Sequence, residues 1–225
     1  MNCYQEVCGL PINTYFSSQK MKWLLQNVDG LEKKENLVLS TIDTYLIARL
    51  TKGKSIVTDS TNASRTMLMD INTLDWSDNM LNEYEIKKEW LPNIIKESSG
   101  NFGSVSDDLV SQLAGVPISG VAGDQQAACI GHVLREGQVK NTYGTGCFIL
   151  QNTGTKPVIS KNGLLTTMCY KIGNNTQYAL EGSVEIAGAA ISWAKSVGFI
   201  QNAKDLESLA LSVDDCGDVY FVPAF

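Results

Sequence analysis

No apolar run in this sequence approaches the roughly 20 residues that span a bilayer, and no basic segment near Met1 leads into an apolar one as in a secretory leader. A cytoplasmic protein is expected. Basic residues are scattered, and 18 of them against 24 acidic ones give a net charge of -6, so neither nucleic acid nor an anionic membrane is expected as a partner. Six cysteines form no C-x-x-C pair, and a single histidine, His132, could join them at a metal. Free thiols and no protein-held metal follow. There is no G-x-x-x-x-G-K-[ST], which excludes a P-loop, and no G-x-G-x-x-G opening a helix after a strand. Repeats and low-complexity tracts are also absent. The glycosylation triplets at Asn62 and Asn174 carry no meaning without a leader.

The chain has 225 residues, 44% of them apolar, enough for a substantial core and between one and two ordinary domains. Ser17 to Val28 reads as a helix capped by Ser17 or Ser18, with Met21, Leu24, Leu25 and Val28 at helical spacing and Gly30 beyond its end. A second helix is expected at Asp43 to Leu50, stopping before the Lys52-Gly53 turn. Val57 to Asn62 reads as a polar loop feeding a strand at Thr66 to Met69. Short helices are expected at Ser77 to Glu83 and Ser106 to Leu113, with Pro92 and Ser98 to Asn101 breaking the pattern between them. An apolar strand, Pro117 to Val121, meets a Gly123-Asp124 turn, and Gln125 to Leu134 continues as a helix.

Beyond Glu136 short strands follow at Val139 to Tyr143, Cys147 to Gln151, Leu164 to Tyr170 and Gln177 to Leu180. A second domain is expected to begin there, giving 1–135 and 136–225. Helices at Ser183 to Ser196 and Ala203 to Leu211 and a strand at Val219 to Val222 complete the pattern. The apolar finish at Phe225 suggests a piece of a longer protein. Trp23, Trp76, Trp90 and Trp193 are read as core or interface aromatics, Tyr15 and Phe16 as a staple, Arg65 as a donor to loop carbonyls, and His132 as inert.

Two runs could carry chemistry. In Gly120 to Ala128, GVAGDQQAA, an acidic side chain stands where a strand gives way to a helix. Asp124 there is either a simple N-cap or a group facing a ligand, the second favoured by Gln125 beside it and by Gly123, which admits close approach. In Asn141 to Phe148, NTYGTGCF, Gly144 and Gly146 bracket Thr145 between two strands. Such a turn either cradles a phosphate with backbone N–H groups or is turn chemistry alone.

Together with NTYFSSQKMKWLL, STIDTYLIARLT, VTDSTNASRTMLMD, TLDW, NGLLTT, YALEGSVEIAGAAISW and VYFVPAF, these runs resemble the glycerol kinases over essentially the whole chain. That group lies within the carbohydrate-kinase family of α/β proteins with the actin-like, ribonuclease-H-like ATPase fold. The resemblance implies that the chain holds the end of a first, substrate-binding domain and the start of a second, nucleotide-binding one. It implies ATP and Mg2+ as cofactors, and Asp124 as the base that takes the proton of a glycerol hydroxyl as its oxygen attacks the γ-phosphate. Tyr15, Asp124 and Gln125 would hydrogen-bond the polyol and Phe148 would pack on its carbons. Gly144, Thr145 and Gly146 would meet the phosphates, and Gly188 would lie close to the nucleotide.

The chain departs from that pattern in places. Ser192 stands where a glutamine is expected, so no nucleotide contact is carried onto it. Asp107 and Asp108 lie in the segment where bacterial members bind a sugar bisphosphate, and their charge would repel it. The upstream Asp-x-Gly-Thr hairpin and the downstream glycine-rich adenosine segment have no counterpart here, which predicts an inactive isolated chain. A kinase for another small sugar or polyol, and an inactive fragment or interaction module, are the alternative readings; a homo-oligomer is compatible with either.

Overall fold

The computed structural model describes residues 4–109 and 111–223. The chain divides into two units, one of Met1–Lys140 with Leu150–Glu181 and one of Asn141–Ile149 with Gly182–Phe225.

The first unit opens with α1 (Gln5–Cys8), stopped by Gly9 at φ 78°. A side chain at Gly9 would collide with the Thr166 carbonyl, since a Cβ there would lie 2.1 Å from its oxygen. α2 (Ser17–Asn27) buries Met21, but its N-cap is Phe16 and no serine side chain caps it. The Ser18 N–H instead donates to the Thr66 carbonyl at 3.0 Å, so tertiary pairing replaces the expected local cap. α3 (Ile42–Leu50) starts one residue before its expected bound and ends before Lys52 and Gly53, both at positive φ.

Val57 to Asn62 is not a loop. Val57–Asp59 forms β1, and Ser60–Ala63 forms α4 with Asp59 as N-cap. Residues without an alternating apolar pattern make a strand here because tertiary pairing supplies the ladder. The strand expected at Thr66 shrinks to β2 (Met69–Asp70), because Thr66 N–H bonds back to Ala63 and Met67 sits at φ 65°. β2 pairs antiparallel with β3 (Asp75–Trp76). α5 (Asp78–Tyr84) follows, capped by Ser77. β4 (Asn93–Ile95) pairs parallel with β1 in the register Val57↔Asn93 to Asp59↔Ile95.

Within the stretch expected to be a helix at Ser106 to Leu113, only a 3-10 turn at Ser111–Leu113 forms among the described residues; Val110 lies outside them. Pro117 to Val121 is not a regular strand either. It meets Ser98 to Val105 through isolated bridges, Ser99↔Gly120 and Ser104↔Pro117, because Pro117 cannot donate to a ladder. α6 (Asp124–Gly131) is shorter than expected, its end marked by Val133 at φ 50°.

β5 (Val139–Tyr143), β6 (Cys147–Gly154), β7 (Leu165–Ile172) and β8 (Asn175–Val184) form a sheet of order β5-β6-β8-β7. β7 and β8 run antiparallel from Leu165↔Glu181 to Ile172↔Asn175, with a bulge between Met168 and Tyr170. Thr166, Thr167, Met168 and Cys169 are buried on both faces of β7, which explains its unbroken, non-alternating character. The core of the first unit gathers Leu10, Met67, Leu68, Met69, Ile71 and Met80 around this layer. Burying each contributes roughly 1.5–3 kcal/mol relative to exposure.

Trp76 is buried and Trp90 packs on the core, but Trp23 is 59% exposed, since the α2 face it occupies turns away from the core. Phe16 is buried while Tyr15 lies outside it, the two rings meeting edge to face with centroids 5.4 Å apart. In the second unit, α7 (Gly188–Ser196) begins five residues later than Ser183, because β8 runs on to Val184. Trp193 stacks on Phe221 at 5.1 Å and meets Phe199 edge to face. α8 (Leu206–Ala210) follows a 3-10 turn. Val219 to Val222 is irregular rather than a strand, with no ladder partner among the described residues. Ala224 and Phe225 lie outside those residues.

Candidate active site

Asp124 is the first residue of α6, and Gly123, in extended backbone at φ -61° and ψ 151°, is the N-cap. The simple N-cap reading of Asp124 is thereby corrected. A capping carboxylate would stand one residue earlier and accept N–H groups of the first turn from there. The Asp124 carboxylate instead accepts from its immediate neighbour, the Gln125 N–H at 2.8 Å and the Gln125 Nε2 at 3.3 Å. Asp124 is exposed, and its carboxylate stands at the positive end of the helix, where an anion is favoured.

Gln125 is held from its other side. Lys140, near the start of β5 and only 5% exposed, donates its Nζ to Gln125 Oε1. An ammonium only donates, so this contact fixes which end of the amide is oxygen and turns the Gln125 NH2 toward Asp124. Burial pushes the Lys140 pKa down, while Cys129, Glu181 and Asp124 pull it up. Glu181 is itself engaged by Arg65 through two N–H···O bonds of 2.9 Å. Arg65 therefore meets a carboxylate on β8 rather than loop carbonyls, and its guanidinium also lies 5.5 Å from the Phe16 ring centroid.

Cys129 on α6 and Cys169 on β7 complete this neighbourhood. A hydrogen bond between them lowers the Cys129 pKa against its burial and pushes the Cys169 thiol up. Cys8, Cys129, Cys147, Cys169 and Cys216 are free thiols, and Cys3 lies outside the described residues. Among the described residues no three His, Cys, Asp or Glu side chains gather as metal ligands. Tyr15, whose backbone N–H bonds to Asn13 Oδ1 at 2.8 Å, is exposed on the segment before α2.

The second unit brings Gly144, Thr145, Gly146 and Gly188 together. The Gly144 N–H donates to the Gly146 carbonyl at 2.8 Å, closing a tight turn, and Thr145 at its tip is exposed. The Gly144 carbonyl accepts the Gly188 N–H at 2.9 Å, and the Thr145 carbonyl accepts the N–H groups of Ala187 at 2.8 Å and Ala189 at 3.1 Å. The turn is thus bonded to the first turn of α7. This contact explains two glycines: a Cβ at Gly188 would lie 2.6 Å from the Gly144 oxygen, and one at Gly146 would lie 2.7 Å from the Val184 oxygen. Phe148 follows on β6, half-buried, and Ser192 is exposed on α7.

Sequence reasoning singled out Asp124, Gln125 and the glycine turn but not Lys140, Glu181 or Thr61, whose hydroxyl accepts the Gly123 N–H at 2.9 Å. The signal for Lys140 was faint: one basic residue at the head of a strand, its burial invisible without the fold.

The family model for the FGGY family of carbohydrate kinases, N-terminal domain, matches residues 2–131, and that for the C-terminal domain of the same family matches residues 139–225. A glycerol kinase of Natranaerobius thermophilus is 51% identical over 222 residues, covering 96% of this chain and 44% of its own length. One of Arabidopsis thaliana is 48% identical over 231 residues, covering 99% and 44%. The chain thus spans less than half the length of the curated relatives it matches. The crystal structure of Plasmodium falciparum glycerol kinase with ADP aligns over 99% of this chain and 45% of its own, with TM-score 0.87 and 42% identity. A gluconate kinase from Lactobacillus acidophilus, 24% identical with TM-score 0.79, shares the fold. No helix among the described residues is long and apolar enough to cross a membrane. With both domain models matched in order along α1 to α8, the chain belongs to the FGGY family of carbohydrate kinases.

Proposed function

We propose that this chain supplies the proton-accepting and phosphate-facing elements of an ATP-dependent kinase that converts glycerol to glycerol 3-phosphate. The observation that carries the reading is the Asp124 carboxylate: exposed, at the head of α6, not used as a cap, and backed by a Gln125 amide that Lys140 orients. An alcohol is a weak nucleophile at neutral pH, and a carboxylate within hydrogen-bond reach accepts its proton as the oxygen attacks. Gln125 and Tyr15 supply further polar groups for a small triol. The relatives of 51% and 48% identity are glycerol kinases, which supports glycerol over a longer sugar.

The second unit fits a nucleotide phosphate. Its turn at Gly144, Thr145 and Gly146 presents an exposed hydroxyl on a backbone locked to α7, and Gly188 admits no bulk beside it. The transferred γ-phosphoryl comes from ATP, and magnesium, which binds through phosphates and one or two carboxylates, accompanies it. The test is phosphorylation of glycerol by the whole protein, with xylulose and gluconate as competitors. Glycerol is expected to be the preferred acceptor, and Asp124→Asn to lower kcat by about two to four orders of magnitude, the range of general base catalysis. An unchanged kcat in that variant would refute the role of Asp124; preference for a sugar would refute glycerol.

A further inference from the structure

Two backbone N–H groups hold the segment that leads into Asp124. Val121 donates to the Ser98 carbonyl at 2.9 Å, and Gly123 donates to Thr61 Oγ1 at 2.9 Å. Both acceptor residues are tied to one buried carboxylate. Ser98 Oγ donates to Asp59 Oδ2 at 3.0 Å, and Thr61 Oγ1 donates to the same oxygen at 2.8 Å. Asp59 is 0% exposed, and it also takes the Thr61 N–H at 3.1 Å, and the Asn62 N–H at 3.0 Å and Nδ2 at 2.8 Å.

The direction of each bond is fixed by chemistry. A carboxylate accepts only, so the single hydroxyl proton of Thr61 goes to Asp59 and its lone pairs face the Gly123 N–H. The Gly123 N–H lies just ahead of the helix and has no intrahelical acceptor of its own. From the other side Gln126 Nε2 donates to the Met168 carbonyl at 3.2 Å, and its Oε1 lies 2.5 Å from where a Gly123 Cβ would stand. Gly123 is thus clamped between a hydroxyl and an amide, one residue before the carboxylate.

We infer that Thr61 is a positioning residue for Asp124: with Asp59 behind it, its hydroxyl fixes the Gly123 peptide and hence the place and angle at which α6 presents its first carboxylate. The inference rests on the reading of Asp124 as the base. Misplacement of a reacting group by about 1 Å can cost on the order of a hundredfold in rate while leaving ground-state binding nearly intact. A purely structural Thr61, serving only α4, would alter stability and leave the partition between kcat and KM alone.

Two variants separate these roles. Thr61→Val keeps the shape and removes the hydroxyl; Thr61→Ser restores it. In the full chain, hydrogen exchange at the Gly123 amide is expected to speed up at least about tenfold in Thr61→Val and to return toward the parent value in Thr61→Ser, in line with loss and recovery of one half-buried bond. In the whole protein, Thr61→Val is expected to lower kcat about ten- to a hundredfold with KM for glycerol changed less than about threefold, and Thr61→Ser to recover most of it. Unchanged Gly123 exchange in Thr61→Val overturns the anchor. Lost protection with kcat intact, while Asp124→Asn is inactive, overturns the positioning role and leaves the proposed function standing. If Asp124→Asn is itself fully active, the reading of Asp124 and the catalytic consequence of Thr61 fall together.

Discussion

Arg65, just after α4, and Glu181, on β8, lie 116 residues apart in sequence and meet through two parallel N–H···O bonds of 2.9 Å. The Glu181 side chain is 3% exposed and the Arg65 side chain 20%, so the pair is largely withdrawn from water. Removing one partner strands the other. Arg65→Ala is expected to destabilise the fold by about 3–5 kcal/mol, because Glu181 would remain buried without its fork. Arg65→Lys keeps the charge but not the bidentate geometry, and should recover only part of that. Urea midpoints at constant m-value measure both; a change in Arg65→Ala under about 1 kcal/mol would contradict the prediction.

Lys140 should matter to binding more than to folding. Lys140→Met fills similar space without the donor, so Gln125 loses the contact that orients its amide toward Asp124. Under the proposed function, KM of the whole protein for glycerol is expected to rise about tenfold, with a smaller fall in kcat. Burial holds the Lys140 pKa below its ordinary value, so between that depressed value and the unfolded value of about 10.4 the unfolded chain binds more protons. The Lys140 contribution to stability therefore rises with pH across that window, and Lys140→Met should flatten the slope. A variant with the parental pH slope and KM would count against both statements.

Gly188→Ala places a methyl group 2.6 Å from the Gly144 oxygen, a backbone atom that cannot rotate away. The turn at Thr145 and the first turn of α7 must then separate. About 1–3 kcal/mol of destabilisation is expected, the usual cost of overpacking, with nucleotide affinity lowered at least about tenfold. Calorimetric titration with ADP would detect the loss; parental affinity would show that this contact is dispensable.

The thiols should sort by burial. Cys216 is exposed and should react with a maleimide at neutral pH, whereas Cys8, 1% exposed and with its pKa raised to about 11 by burial, should stay silent until the fold opens. The native state holds the Cys8 proton more tightly than the unfolded chain. Its contribution is full below pH 9 and is lost as pH rises toward 11, amounting to about 2–3 kcal/mol at 1.4 kcal/mol per unit. Cys8→Ala should therefore lose stability less steeply than the parent between pH 9 and 11. Equal slopes, or labelling of native Cys8, would contradict this assignment.

Much of the fold was legible where the signal is local. The helices α2, α3 and α5 and the strands β5 to β8 follow from apolar spacing and turn residues, and appear within a few residues of the expected bounds. The misreadings lie where partners are remote. Asp59 sits in a run with no strand pattern, yet β1 forms because β4 pairs with it 36 residues on, in the register Val57↔Asn93. For Trp23 the sequence leaves core and interface open, and only the packing of α2 shows that its face is turned outward.

For the candidate site the same division holds. The sequence alone determined the chemistry on offer: a carboxylate and an amide at the head of a helix, and a hydroxyl between two glycines at a turn. Composition and motif decide which side chains exist and how neighbouring ones are spaced. Only the tertiary structure decided that Asp124 is not a cap, that Lys140 orients Gln125, and that Thr61 and Ser98 hold the approach to α6 through one buried carboxylate. The bond from Lys140 to Gln125 joins residues 15 positions apart, and that from Gly123 to Thr61 residues 62 apart. A hydrogen bond depends on distance and angle in space, and sequence separation fixes neither.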